Sequence, residues 1–158
     1  PVVGLTGLRV LTMRAFRLPL LAAGFALVAT SAAAQAPVVV VVNAKNPVTG
    51  LTVKQISDLY LGRKRSFPDG EAALPLDHSQ NSPLRARFYF DLTGKPIAEI
   101  NAYWARLLFS GQNSPPQTLA DTAAIIDAVK KNINAIAYLD HEPSDRGVRT
   151  LLVVPPRQ

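Results

Sequence analysis

Five consecutive valines at residues 38–42 constrain the fold of this chain more than any other feature. β-Branched side chains suit a strand better than a helix, and successive strand residues point to opposite faces of a sheet. A run that is apolar on both faces therefore reads as a central strand buried on both sides, in a sheet covered by helices. The chain has 158 residues, room for one ordinary core but not for two. It is 48% hydrophobic and 18% charged, a balance that excludes a disordered chain.

The segments after the valines supply the helices. Residues 43–50 contain Asn, Pro and Gly and predict a loop. Thr52 stands at an N-cap position with Gln55 three residues on, as in a capping box, and Leu51 with Ile56 forms a hydrophobic staple. The helix expected over 53–61 has Val53, Ile56, Leu59 and Tyr60 at helical spacing and is closed by Gly62. A basic run, Arg63-Lys64-Arg65, leads into the Phe67-Pro68-Asp69-Gly70 turn and reads first as a solvated loop. Residues 73–76 predict a short strand, and 77–81 a polar turn. Ser82-Pro83 opens a second helix to about Leu92, Pro96 a third that Gly111 ends, and Asp121 a fourth through Ile125, Ile126 and Val129. Tyr103 and Trp104 fall within the apolar pattern of the third helix and read as core. Residues 135–139 and 148–154 complete the pattern as strands, giving an α/β fold with short connections.

The N-terminus has a different character. From Met13 the sequence runs through Arg14 and Arg17 to an apolar stretch over 18–30 and then Ser31-Ala32-Ala33-Ala34. That is the three-part pattern of a secretory signal peptide, with cleavage expected after Ala34. About a dozen apolar residues is too short for a bilayer-spanning helix, which needs roughly 20. Residues 1–12 play no part in the pattern and read as an upstream extension of the start site, so the expected division is 1–12, a signal peptide at 13–34 and one domain at 35–158. Cleavage removes three arginines and no acid, lowering the formal charge from +6 to +3. A charge of that size gives no nucleic-acid footprint, and no basic surface interleaved with aromatics is visible. The absence of Cys excludes disulfides, thiol catalysis and Cys-based zinc sites.

Chemistry concentrates in His78-Ser79-Gln80-Asn81-Ser82-Pro83-Leu84-Arg85, a polar turn between a strand end and a helix start. The N–H groups and positive end of a helix favour anions there. Ser82 offers a hydroxyl, and Arg85, one turn in, a guanidinium fork. The plain alternative is a capped helix start with no ligand. His78 and His141 are the only histidines. With no G-x-S-x-G, H-E-x-x-H or paired-carboxylate motif beside them, neither a hydrolase nor a metal site is expected. No cofactor motif is present, and the chain reads as a non-enzyme.

The order Asn43-Ala44-Lys45-Asn46-Pro47, then residues 51–62, the Phe67-Pro68-Asp69-Gly70 turn and Asn134-Ala135-Ile136-Ala137-Tyr138 resembles the phosphate-binding protein family of ABC transporters, over most of residues 38–140. The resemblance implies a single lobe of the type II periplasmic binding protein fold, a mixed sheet flanked by helices. It also implies that the turn corresponds to the family's Arg-x-x-Gly-Ser-Gly-Thr-Arg anion loop. His78 then falls at the first Arg, Asn81 at the first Gly, Ser82 at the Ser and Arg85 at the last Arg. Pro83, which lacks an N–H, stands at the second Gly, and Leu84, which lacks a hydroxyl, at the Thr. The implied anion-binding residues are His78, Ser79, Asn81, Ser82 and Arg85. The resembling proteins close two lobes on their ligand, whereas residues 35–158 amount to one.

Two functions are therefore expected of an exported, periplasmic domain. The first is binding of phosphate or a similar oxyanion beside a membrane transporter, with pairing of two chains as one way to complete a cleft. The second is an envelope interaction module with no small ligand, its contact the Arg63-Lys64-Arg65 loop.

Overall fold

The computed structural model describes residues 36–157; the signal-peptide reading falls outside them. The element order is β1 (Val38–Asn43), α1 (Val53–Tyr60), β2 (Leu74–His78), α2 (Pro83–Thr93), α3 (Ile97–Phe109), β3 (Gln117–Leu119), α4 (Thr122–Lys131), β4 (Ala135–Leu139) and β5 (Val148–Val154). The five strands form one mixed sheet in the order β3-β2-β4-β1-β5. β2 runs parallel to both β3 and β4, and β1 runs antiparallel to both β4 and β5.

The valine run lies next to the β5 edge strand, and its alternation builds both layers. Val38, Val40 and Val42 pack with α1, α2 and α3 through Ile56, Tyr60, Phe88, Leu92, Ile100 and Trp104. Val39 and Val41 pack on the opposite face against Ile125 and Val129 of α4. All five valines are at most 1% exposed. The helices begin where the capping residues place them. Thr52 and Gln55 form the reciprocal capping box, Ser82 and Asp121 accept from the amides three residues on, and Pro83 occupies the first helical position. Tyr103 and Trp104 belong to the core layer, as their spacing predicts.

Three segments differ from the sequence reading. β3 is an added strand where a loop is expected; it is three residues long and forms only because β2 offers a parallel partner. Asp77 and His78, read as the start of a polar turn, are the buried last residues of β2. The third is the Asn43–Asn46 loop, which is a fastening for α4. Asn43 Nδ2 donates to the Val129 and Lys130 carbonyls at 2.8 and 3.0 Å, and Asn46 Nδ2 to the Ile133 carbonyl at 2.7 Å.

β2 and β4 pair at Leu74 with Ala135 and Pro75 with Ile136, and beyond that point side chains join them. The Tyr60 hydroxyl lies 3.0 Å from the carbonyls of both Leu76 and Ile136. His78 Nε2 lies 2.9 Å from the Tyr138 carbonyl. The rings of Tyr60, Phe88, Tyr89 and Tyr138 pack together there, Phe88 stacked on Tyr138 with centroids 3.7 Å apart.

Gly62 follows α1 with φ of 67°, and a Cβ at that position would meet Asn113 Nδ2 at 2.3 Å and Trp104 Cη2 at 2.8 Å. Gly70 has φ of 92° but open space around it. Left-handed strain and overpacking each cost about 1–3 kcal/mol, so Gly62→Ala is expected to destabilise the fold by about 3 kcal/mol and Gly70→Ala by about 1. Urea unfolding of the two variants compares them directly; equal losses would contradict the close packing at Gly62.

Candidate anion-binding site

The connections of the sheet determine where a ligand meets it. β2 and β3 are adjacent and parallel, yet the chain leaving β2 enters α2 on one face and the chain leaving β3 enters α4 on the other. In open α/β sheets such a reversal opens a crevice outside the carboxyl ends of the strands, the usual place for a ligand. At this end of the sheet the 79–82 turn follows β2 into α2, and Asp121 caps the start of α4 just after β3.

The turn is internally braced. The Ser82 amide donates to the Ser79 carbonyl at 2.9 Å, and Ser82 Oγ accepts from the Arg85 amide at 3.3 Å. Among the donors here that have no protein acceptor in the described residues are the hydroxyls of Ser79 and Ser82, the side-chain amides of Gln80 and Asn81 and the Leu84 N–H. Asn81 is exposed, and the two serines are half-buried. This is a cluster of neutral donors on a helix N-terminus.

His78 and Arg85 are held differently, in the interior beneath the turn. Arg85 projects back toward the start of α2, as helical side chains do, and meets Asp77 rather than the turn. Its Nε donates to Asp77 Oδ2 at 2.9 Å, its Nη1 to Asn101 Oδ1 at 2.9 Å, and its guanidinium carbon lies 5.1 Å from the Tyr89 ring centroid. The two ion-pair side chains are 6% and 3% exposed, so this pair is shielded from water. Asp77 also accepts from the His78 amide at 2.9 Å, the Tyr89 hydroxyl at 3.0 Å and the Tyr138 hydroxyl. All of the carboxylate is thereby hydrogen-bonded, and Arg85 balances its charge. His78 lies against the Tyr138 ring at 4.9 Å between centroids, its Nε2 engaged by the Tyr138 carbonyl. Among the described residues neither histidine ring is hydrogen-bonded to a serine.

Burial pushes the hydroxyls of Tyr60, Tyr89 and Tyr138 well above the ordinary tyrosine range, and the Asp77 charge adds to the push. They therefore stay protonated and act as donors to the carboxylate and the strand carbonyls. Asp77, Arg85, Gln80, Asn101 and Thr118 line a cleft of about 200 Å³ continuous with the turn through Gln80. Asp77, Asn101, Tyr89 and Tyr138 are absent from the site read out of the sequence. The available signal was the pairing of an acid at a strand end with an Arg in the first turn of the next helix.

No protein-family model and no curated relative matches the sequence. Solved structures share the fold, two of them as follows. One is described as a phosphate ABC transporter substrate-binding protein with bound phosphate, from Clostridium perfringens; it matches with a TM-score of 0.58 and 20% identity over 73% of this chain and 44% of that one. The other is an ABC-type phosphate transport receptor from Vibrio cholerae, with a TM-score of 0.55 and 17% identity over 73% of this chain and 45% of that one. The chain thus spans less than half the length of either. It shares with them an α/β architecture, a five-stranded mixed sheet flanked by helices.

Proposed function

We propose that this chain is an exported, periplasmic oxyanion-binding lobe that takes phosphate or a similar anion in the crevice at the carboxyl ends of β2 and β3, beside a membrane transporter. The observation that carries the reading is the set of unpaired donors from Ser79, Asn81, Ser82 and Leu84 at the point where α2 and α4 leave neighbouring strands on opposite faces. The fold shared with two phosphate-transport proteins supports the ligand class. His78 and Arg85 serve by holding β2 and the start of α2 in place, and Arg85 also borders the cleft beneath Gln80.

This arrangement implies weak binding. Each donor to an oxyanion makes a charge-assisted hydrogen bond of about 1.5–3 kcal/mol, but association alone costs about 4 kcal/mol or more, so a few such donors on one open lobe leave a Kd on the order of 1 mM. Ser82→Asp tests the location. Aspartate is as good an N-cap as serine, so stability is retained, while its carboxylate occupies the anion's position. Phosphate binding is expected to disappear in this variant at unchanged unfolding midpoint. Binding that survives the substitution would place the anion elsewhere.

A second reading, an envelope interaction module without a small ligand, is favoured by the end of α3, where Phe109 is 97% and Leu108 57% exposed. Adjacent apolar side chains left in water are a protein-docking feature.

A further inference from the structure

A second cleft, of about 380 Å³, lies at the opposite end of the same strands, between the loop after α1 and the loop before β3. Its floor is apolar, from Leu59, Leu74 and Trp104, and its rim carries Lys64 and Arg65 facing Asn113 and Ser114. The volume falls in the range of small-molecule sites, and the lining combines apolar side chains with a comparable share of polar ones.

The rim is built rather than incidental. Asp58 is already engaged by Lys54 at 2.7 Å and Arg63 at 3.6 Å, and the Lys54 hydrogen bond, ahead of its other contacts, holds its carboxyl below the ordinary range. Its backbone carbonyl receives the amides of Arg63 and Lys64 at 2.8 and 3.0 Å, which sets the course of the basic loop. Arg63 is thereby occupied, whereas Lys64 and Arg65 have no carboxylate partner among the described residues. Asn113 joins the walls: its Oδ1 accepts from Arg65 Nη2 at 3.3 Å and the Ser114 amide at 2.9 Å, and its Nδ2 donates to the Gly62 carbonyl at 3.1 Å. The missing side chain of Gly62 is what lets Asn113 and Trp104 meet there.

We infer that this cleft binds a small organic anion, a carboxylate or phosphate monoester carrying an apolar body. Its charged group meets Lys64 and Arg65, and its body lies on Leu59 and Trp104. No residue of the Ser79–Ser82 turn lines this cleft, although Trp104, Pro115 and Pro116 form a wall it shares with the smaller cleft beneath Gln80. Two uncompensated cations attract the anion, and the apolar floor rejects one that is fully hydrated.

Trp104 is the only tryptophan in the chain and lines both this cleft and the one beneath Gln80, so its fluorescence reports binding at either and the Lys64 and Arg65 variants assign it to this one. Titration of the full chain with phenyl phosphate and with benzoate is expected to change that emission saturably for at least one of them; the one that binds assigns the anionic group. Lys64→Glu with Arg65→Glu is expected to weaken binding by about tenfold or more, since each charged hydrogen bond contributes about 1.5–3 kcal/mol. Lys64→Gln with Arg65→Gln, at exposed positions, gives the same loss without charge reversal. Ser82→Asp should leave this binding intact, which separates failure here from failure at the turn. Three results would overturn the inference: no saturable change with either organic anion, equal binding of benzyl alcohol, or organic-anion binding unchanged in the Lys64→Glu with Arg65→Glu variant.

Discussion

Arg85→Ala is expected to destabilise the fold by about 3–5 kcal/mol, the usual cost of leaving one member of a buried ion pair without the other. Asp77 is 2% exposed, and its remaining partners are two tyrosine hydroxyls and one amide, none of which carries charge. The loss is a large share of the 5–15 kcal/mol that holds most domains together. Arg85→Lys keeps the charge but not the fork that reaches both Asp77 and Asn101, and should recover only part of it. Urea denaturation of the three proteins provides the comparison; an Arg85→Ala variant within about 1 kcal/mol of the parent would contradict the buried pair. For the same reason Arg85 is a poor probe of ligand binding, and the turn residues are the better ones.

The second large effect is expected in alkali. Tyr60, Tyr89 and Tyr138 are held above the ordinary tyrosine range in the folded chain, first by burial and then by the charge of Asp77. Above pH of about 10 the unfolded chain releases three protons that the folded chain retains, so stability falls as pH rises. The stabilisation is fully present below that point and is lost as pH climbs toward the folded-state values. Three protons correspond to about 4 kcal/mol per pH unit, enough to unfold an ordinary domain within about two to three units. Tyrosinate absorbance should therefore rise together with loss of far-ultraviolet circular dichroism. Ionisation of all four tyrosines ahead of unfolding would contradict the buried cluster.

Much of the fold is legible locally, because the features that set it are local. The valine run can be satisfied only by burial on two faces, Thr52, Ser82 and Asp121 each accept from the amide three residues on, and Pro83 brings its own fixed φ to the first helical position. What escapes is set by contacts distant in sequence. β3 has polar residues after Pro115-Pro116 and no strand signal of its own; β2, some forty residues earlier in the chain, makes it a strand. Asp77 and His78 carry the composition of a turn. They are buried because Arg85, Tyr89 and Tyr138 supply partners that no window around residue 77 contains. The candidate site divides the same way: Ser79, Asn81 and Ser82 lie on the turn where their types suggest, while Arg85 and His78 face inward to groups on other elements. Lys64 and Arg65 read as a solvated run until Asn113, from a loop near β3, stands across from them.

Whether the carboxyl end of the sheet takes an oxyanion is open to direct measurement. Isothermal titration of phosphate into the purified protein, with Ser82→Asp as the paired control, is the decisive measurement. Saturable binding on the order of 1 mM that disappears in the Ser82→Asp variant is the predicted result. Absence of heat in the parent at saturating phosphate would contradict it and turn attention to a protein partner at Leu108 and Phe109.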